Sequence, residues 1–85
     1  MARKMRCGAW VRGRHTFQGK RGIGSTKMCH GFAIGDVGRY EDEPTWWAQL
    51  VTRNGRVRLG SDYDNEREAR EAVNEYLRNM RRSTR

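Results

Sequence analysis

The sequence predicts a small α+β domain: an antiparallel sheet of three to four strands packed on one C-terminal α-helix. Three observations predict it. Two strand-like runs, 46–53 and 56–61, flank Asn54-Gly55, a dipeptide that favours hairpin turns. A further strand-like alternation runs over 28–37. One apolar stripe then recurs at helical spacing from Ala69 to Met80.

Taken in chain order, residues 1–6 read as a basic arm. Residues 7–12 form a short strand around Trp10. Residues 13–27 are polar, rich in Gly and without period, and read as a long mobile loop. In 28–37, Met28, His30, Phe32 and Ile34 share one face, while Gly31 and Gly35 weaken the strand. Residues 38–45 make a connector, because Pro44 disfavours helix at Glu43. Its acids Glu41, Asp42 and Glu43 read as a solvated loop.

A two-residue Asn54-Gly55 turn sets Arg53 opposite Arg56, Thr52 opposite Val57, Val51 opposite Arg58 and Leu50 opposite Leu59. Alternation then gives one face with Trp46, Ala48, Leu50, Val57 and Leu59. The other face carries Trp47, Gln49, Val51, Arg53, Arg56 and Arg58. Asn65 caps the helix, and Glu68 completes a capping box. Ala69, Ala72, Val73, Tyr76, Leu77 and Met80 make the stripe, which needs the Trp46 and Leu50 face to cover. The Arg and Trp face is then left outward.

The 85 residues are 35% hydrophobic, with a mean hydropathy of −1.05, so they make one domain with a thin core. That domain spans 1–85, with a basic Gly-rich arm and loop at 1–27 and a hairpin-plus-helix unit at 46–82. The net charge of +8 is local. Arg3, Lys4, Arg6, Arg12, Arg14, Lys20, Arg21 and Lys27 precede the first acid, Asp36, and the two signs cancel from there on. A cationic segment of this kind points to a polyanion or an acidic partner.

No apolar run approaches the roughly 20 residues that span a bilayer, and the basic start leads into no apolar stretch of a secretory signal. A membrane partner is therefore not expected. Two cysteines are too few for a secreted disulfide scaffold. The expectation is a cytoplasmic protein with reduced thiols, a single Cys7–Cys29 bridge being the other reading. Cys7, His15, Cys29 and His30 lack paired zinc-ligand spacing, so no metal or other cofactor is expected. The same residues have no orienting carboxylate nearby, and catalysis is not expected.

Residues 46–80 combine a Trp-containing strand, a Gly-bearing turn, an Arg-rich strand ending Leu59-Gly60, and a helix opening on Asn65-Glu-Arg-Glu-Ala. This stretch resembles the plant ethylene-response (Apetala-type) DNA-binding domain and the amino-terminal arm-binding domains of phage and transposon integrases. The resemblance implies a three-stranded antiparallel sheet backed by one helix, its open face laid in the DNA major groove. Trp47, Arg53, Arg56 and Arg58 would then be contact residues. Leu59-Gly60 and the helix alanines would be structural.

The functional expectation is non-enzymatic nucleic-acid binding, with DNA ahead of RNA. Trp47, Gln49, Arg53, Arg56 and Arg58 form its face, and Arg12, Arg14, Lys20, Arg21 and Lys27 add phosphate contacts. The alternative uses the same residues on an acidic protein surface. It is a small phage-type inhibitor or adaptor, docked on the nucleic-acid groove of a host polymerase or CRISPR-type effector. The residues do not determine the target sequence or the oligomeric state.

Overall fold

The computed structural model describes residues 8–17 and 20–83, with the backbone alone for 14–17 and 81–83. Its elements are β1 (Ala9–Phe17), β2 (Lys20–Cys29), β3 (Phe32–Tyr40), β4 (Trp46–Thr52), β5 (Gly55–Tyr63) and α1 (Glu66–Ser83). The strands form one five-stranded antiparallel sheet in sequence order. The fold is thus α+β with a single C-terminal helix, and the sheet is wider than the three to four strands expected.

The difference arises mainly in the Gly-rich stretch. Residues 13–27 belong to the β1–β2 hairpin, not to a long loop. The strand signal is weak there because Gly13, Gly22 and Gly24 interrupt the alternation on one face. Gly13 pairs with Gly24 and Gly24 with Gly38, so three glycines make a row across three strands. Trp47 on β4 pairs with Gly38 and lays its indole across it, where a β-carbon on Gly38 would collide with the ring. The missing side chain of Gly38 leaves room for that ring.

The 28–37 run is also divided. His30 and Gly31 both have positive φ, at 52° and 84°, and they turn β2 into β3 with Cys29 opposite Phe32. Positive φ at both central residues suits the twist of a two-residue hairpin.

The β4–β5 turn is centred on Arg53 and Asn54, with Thr52 opposite Gly55. Neither central residue is among those with positive φ, so the expected turn at Asn54-Gly55 is not the one adopted. Thr52 is the cause. Its hydroxyl accepts from the Asn54 N–H at 3.2 Å and donates to the Gly55 carbonyl at 2.6 Å. A hydroxyl residue first in the turn and Gly fourth favour this local closure. Val51 therefore faces Arg56, Leu50 faces Val57 and Gln49 faces Arg58, in place of the expected pairs. Register shifts on either side of Ala48 then set it opposite Gly60, leaving Leu59 unpaired but still packed on the core.

The helix forms where its cap and stripe require. Asn65 Oδ1 accepts from the Glu68 N–H at 2.9 Å, and the two side chains meet at 3.4 Å. Ala69 and Val73 are fully buried against Val37, Trp46, Ala48 and Leu50, with Leu59, Tyr63 and Leu77 at the margin. Burying a Val or Leu side chain contributes about 1.5–3 kcal/mol. Gly35 lets the helix come this close, since a β-carbon there would lie 2.7 Å from Val73 Cγ1. One face of the sheet is thereby covered.

An antiparallel meander sends alternate connections to opposite ends. The 41–45 connector and the β5–α1 link lie at one end. The His30-Gly31 and Arg53-Asn54 turns lie at the other. The described chain also enters at this second end, where the Gly8 N–H donates to the Met28 carbonyl at 2.7 Å. The helix runs towards it, from Glu66 beside Ser25 to Asn74 beside Lys27.

Cys29 is disulfide-bonded. Cys7, the chain's other cysteine, lies outside the described residues, but its neighbour Gly8 pairs with Met28, the neighbour of Cys29. This corrects the expectation of reduced thiols, and the cytoplasmic expectation loses the support it drew from them. No helix among the described residues is long and apolar enough to cross a membrane.

Candidate nucleic-acid interface

The uncovered face is built on alternate residues of β3, β4 and β5. Asp36 pairs with Gln49, and Gln49 with Arg58, so these three form a row across the strands. Thr26 on β2 extends the row, paired with Asp36. Trp47, Val51 and Arg56 occupy the neighbouring positions on the same face.

Asp36 organises the row. It is 5% exposed yet bears a carboxylate, so its oxygens need donors. Thr26 Oγ1 donates to Oδ1 at 2.8 Å. Gln49 Nε2 and Arg56 Nε donate to Oδ2 at 3.2 and 3.0 Å. The Arg56 side chain remains 59% exposed. Held through Nε, the guanidinium has its two terminal nitrogens left to meet a planar acceptor.

Arg58 is positioned differently. Its guanidinium carbon lies 5.2 Å from the centroid of the Trp47 ring, within cation–π range. Trp47 itself is 8% exposed, resting on Gly38 with Tyr40 6.3 Å away. Its ring is thus a platform beneath Arg58 and offers little bare surface for stacking. Arg53 stands exposed in the β4–β5 turn. It does not face Arg56, so the like-charge repulsion expected between them does not arise.

The basic residues of the first two strands do not join this face as a group. Arg12 pairs with Ser25 on the helix side, and its Nη2 lies 3.3 Å from Glu66 Oε1. Lys27 also faces the helix, where it donates to Asn74 and sits 5.6 Å from the Trp10 ring. Arg70 lies 4.9 Å from that ring, pairs with Glu66 and donates to Ser25 at 2.8 Å. Arg14 pairs with Ile23, and its side chain lies outside the described residues. Arg21 is exposed on β2. Lys20 is exposed at the opposite end, 3.3 Å from Glu43 and 3.8 Å from Asp42. The hydrogen bond to Glu43, with the Asp42 charge behind it, raises its pKa above the ordinary lysine value.

Asp36 is the residue that sequence reasoning missed. The available signal was an acid inside a strand-like run, between Ile34 and Val37, where an unpaired carboxylate would be costly. The donors it needs lie at Thr26, Gln49 and Arg56, too far along the chain to mark it by local pattern. Among the described residues no group of three or more His, Cys, Asp or Glu is placed to hold a metal ion.

Compared with protein-family models, with curated proteins and with solved structures, the chain matches none.

Proposed function

We propose that this chain is a non-enzymatic nucleic-acid-binding domain, with duplex DNA as its ligand and the uncovered sheet face as its contact surface. One observation carries the reading. The helix covers a single face, and the opposite face presents Arg56 anchored by Asp36 beside Arg58 propped on Trp47. Both guanidinium groups are held by the fold before any ligand arrives. Arginines so placed suit the planar acceptors of guanine edges and phosphates.

The β4–β5 hairpin lies at an edge of the sheet and carries Arg53, Arg56 and Arg58. A two-stranded ribbon fits the B-form major groove, about 12 Å wide. The major groove of A-form RNA is too narrow for it, which favours DNA. The order β3, β4, β5 and α1 is the strand and helix order that the resemblance implies, here within a wider sheet. An acidic protein groove offers carboxylates to the same arginines, but a duplex offers acceptors in an unbroken row, and this favours the nucleic acid.

The test is duplex binding measured by fluorescence anisotropy at several salt concentrations. Replacing Arg53, Arg56 and Arg58 with Ala should weaken binding and reduce the log–log salt slope by roughly 2–3, at about 0.9 per lost phosphate contact. Unchanged affinity and slope would reject this face. Failure of the parent protein to bind any duplex would reject the function.

A further inference from the structure

The end of the sheet that bears the two tight turns has a charge character of its own. The segments that reach it contain no Asp or Glu: 8–11, 27–35, 50–57 and 76–83. They carry Lys27, Arg53, Arg56, Arg78, Arg81 and Arg82, and His30 stands exposed at the tip. The opposite end gathers Glu41, Asp42, Glu43, Asp62, Asp64, Glu66 and Glu68, which outnumber the Lys20, Arg21, Arg39 and Arg67 found there. The end with the two turns thus has a cationic excess, which suits a polyanion.

Val11, Val57, Tyr76 and Met80 are partly exposed in these segments, and one further apolar residue stands out from them. Phe32 is 74% exposed, more than any other large hydrophobic residue described. It begins β3 just after the His30-Gly31 turn, directly opposite the disulfide-bonded Cys29. The ring is therefore carried on a short, doubly anchored hairpin tip. As β3 runs back to Phe32, β4 runs out to Arg53, so a cation from the proposed contact hairpin stands at the same end. An aromatic ring left in water on a tight tip, with cations around it, matches the side chains that wedge between base steps while the cations hold the backbone.

We infer that Phe32 is an intercalating wedge, inserted at one base step of duplex DNA while the surrounding arginines contact the phosphates. This rests on the DNA-binding reading above and adds to it a defined deformation of the ligand. A single protruding ring acts at one step. Easily unstacked pyrimidine–purine steps such as TA and CA are the preferred place.

The experiment uses short duplexes that each carry one 2-aminopurine within a TA or CA step. This base brightens when it is unstacked. Saturating parent protein should raise the emission of at least one duplex several-fold. Phe32→Ala should abolish the rise while keeping duplex affinity within about threefold, because the phosphate contacts remain. Phe32→Trp should restore it. A circular-dichroism melt of Phe32→Ala matching the parent shows that the fold is kept, as expected for so exposed a side chain. Duplex binding with no emission change, or an equal rise with Phe32→Ala, overturns the wedge and leaves the DNA-binding reading standing. Absence of any duplex binding overturns both.

Discussion

The carboxylate of Asp36 accepts from Arg56 Nε at 3.0 Å, and it does so from a nearly closed site in the middle of the sheet. The acid sits beneath the arginine on the face proposed to meet DNA. Simple charge counting says that removing it should strengthen binding to a polyanion. The geometry says the reverse, because Asp36 keeps the Arg56 guanidinium in one orientation. Asp36→Asn should weaken duplex binding several-fold despite the added positive charge, as read by anisotropy. Asp36→Ala should in addition cost about 2 kcal/mol of stability in urea unfolding, since Thr26 and Gln49 lose their acceptor. Tighter binding by either variant would show that the pair does not serve the interface.

The helix and sheet meet most closely at Gly35 and Val73. A β-carbon on Gly35 would stand 2.7 Å from Val73 Cγ1. Gly35→Ala should lower stability by about 1–3 kcal/mol through overpacking. Val73→Ala alone should cost about 2 kcal/mol by leaving a void. The double variant should cost less than the sum, because the added methyl occupies part of the space vacated. A double-mutant cycle from denaturant unfolding measures this coupling. Strict additivity would mean that the helix shifts away instead.

Asn65 closes the first turn of α1 by accepting from the Glu68 N–H at 2.9 Å. Asn65→Ala should cost about 1 kcal/mol, and Asn65→Asp should keep or slightly improve stability through the helix dipole. Thermal melts of both variants check the order. Equal melting temperatures would show that the cap contributes nothing.

Lys20 gains its partners at the acidic end, first the hydrogen bond from its ammonium to Glu43 and then the Asp42 charge. Its pKa is raised from 10.5. A raised pKa means that the charged form is favoured by folding, so any contribution is full at neutral pH. It is lost as pH climbs through the raised value. An NMR titration should show the Lys20 side chain deprotonating later than in the Glu43→Gln variant. Identical titrations would mean that the pair does not persist in water.

Local pattern was enough for the carboxy-terminal half. The Ala69 and Val73 stripe, the Asn65 cap and the sorting of Trp46 and Leu50 from Gln49 and Arg58 are all legible in the chain. Each depends on periods of two or 3.6 residues and on neighbours a turn away. The β1–β2 hairpin was not legible, because Gly13, Gly22 and Gly24 break the alternation on one face. Turn register was close but misplaced, since the Thr52 hydroxyl competes with the Asn-Gly preference over a few atoms.

The amino-acid order by itself determined that a helix would shield one side of a hairpin, because amphipathic period is a local property. Only the tertiary structure decided what the arginines would do. Asp36 and Arg56 are twenty residues apart, and strand pairing alone brings them together. The same pairing sends alternate connections to opposite ends, and so leaves the two tight turns free of acids while most of the acids gather at the other end.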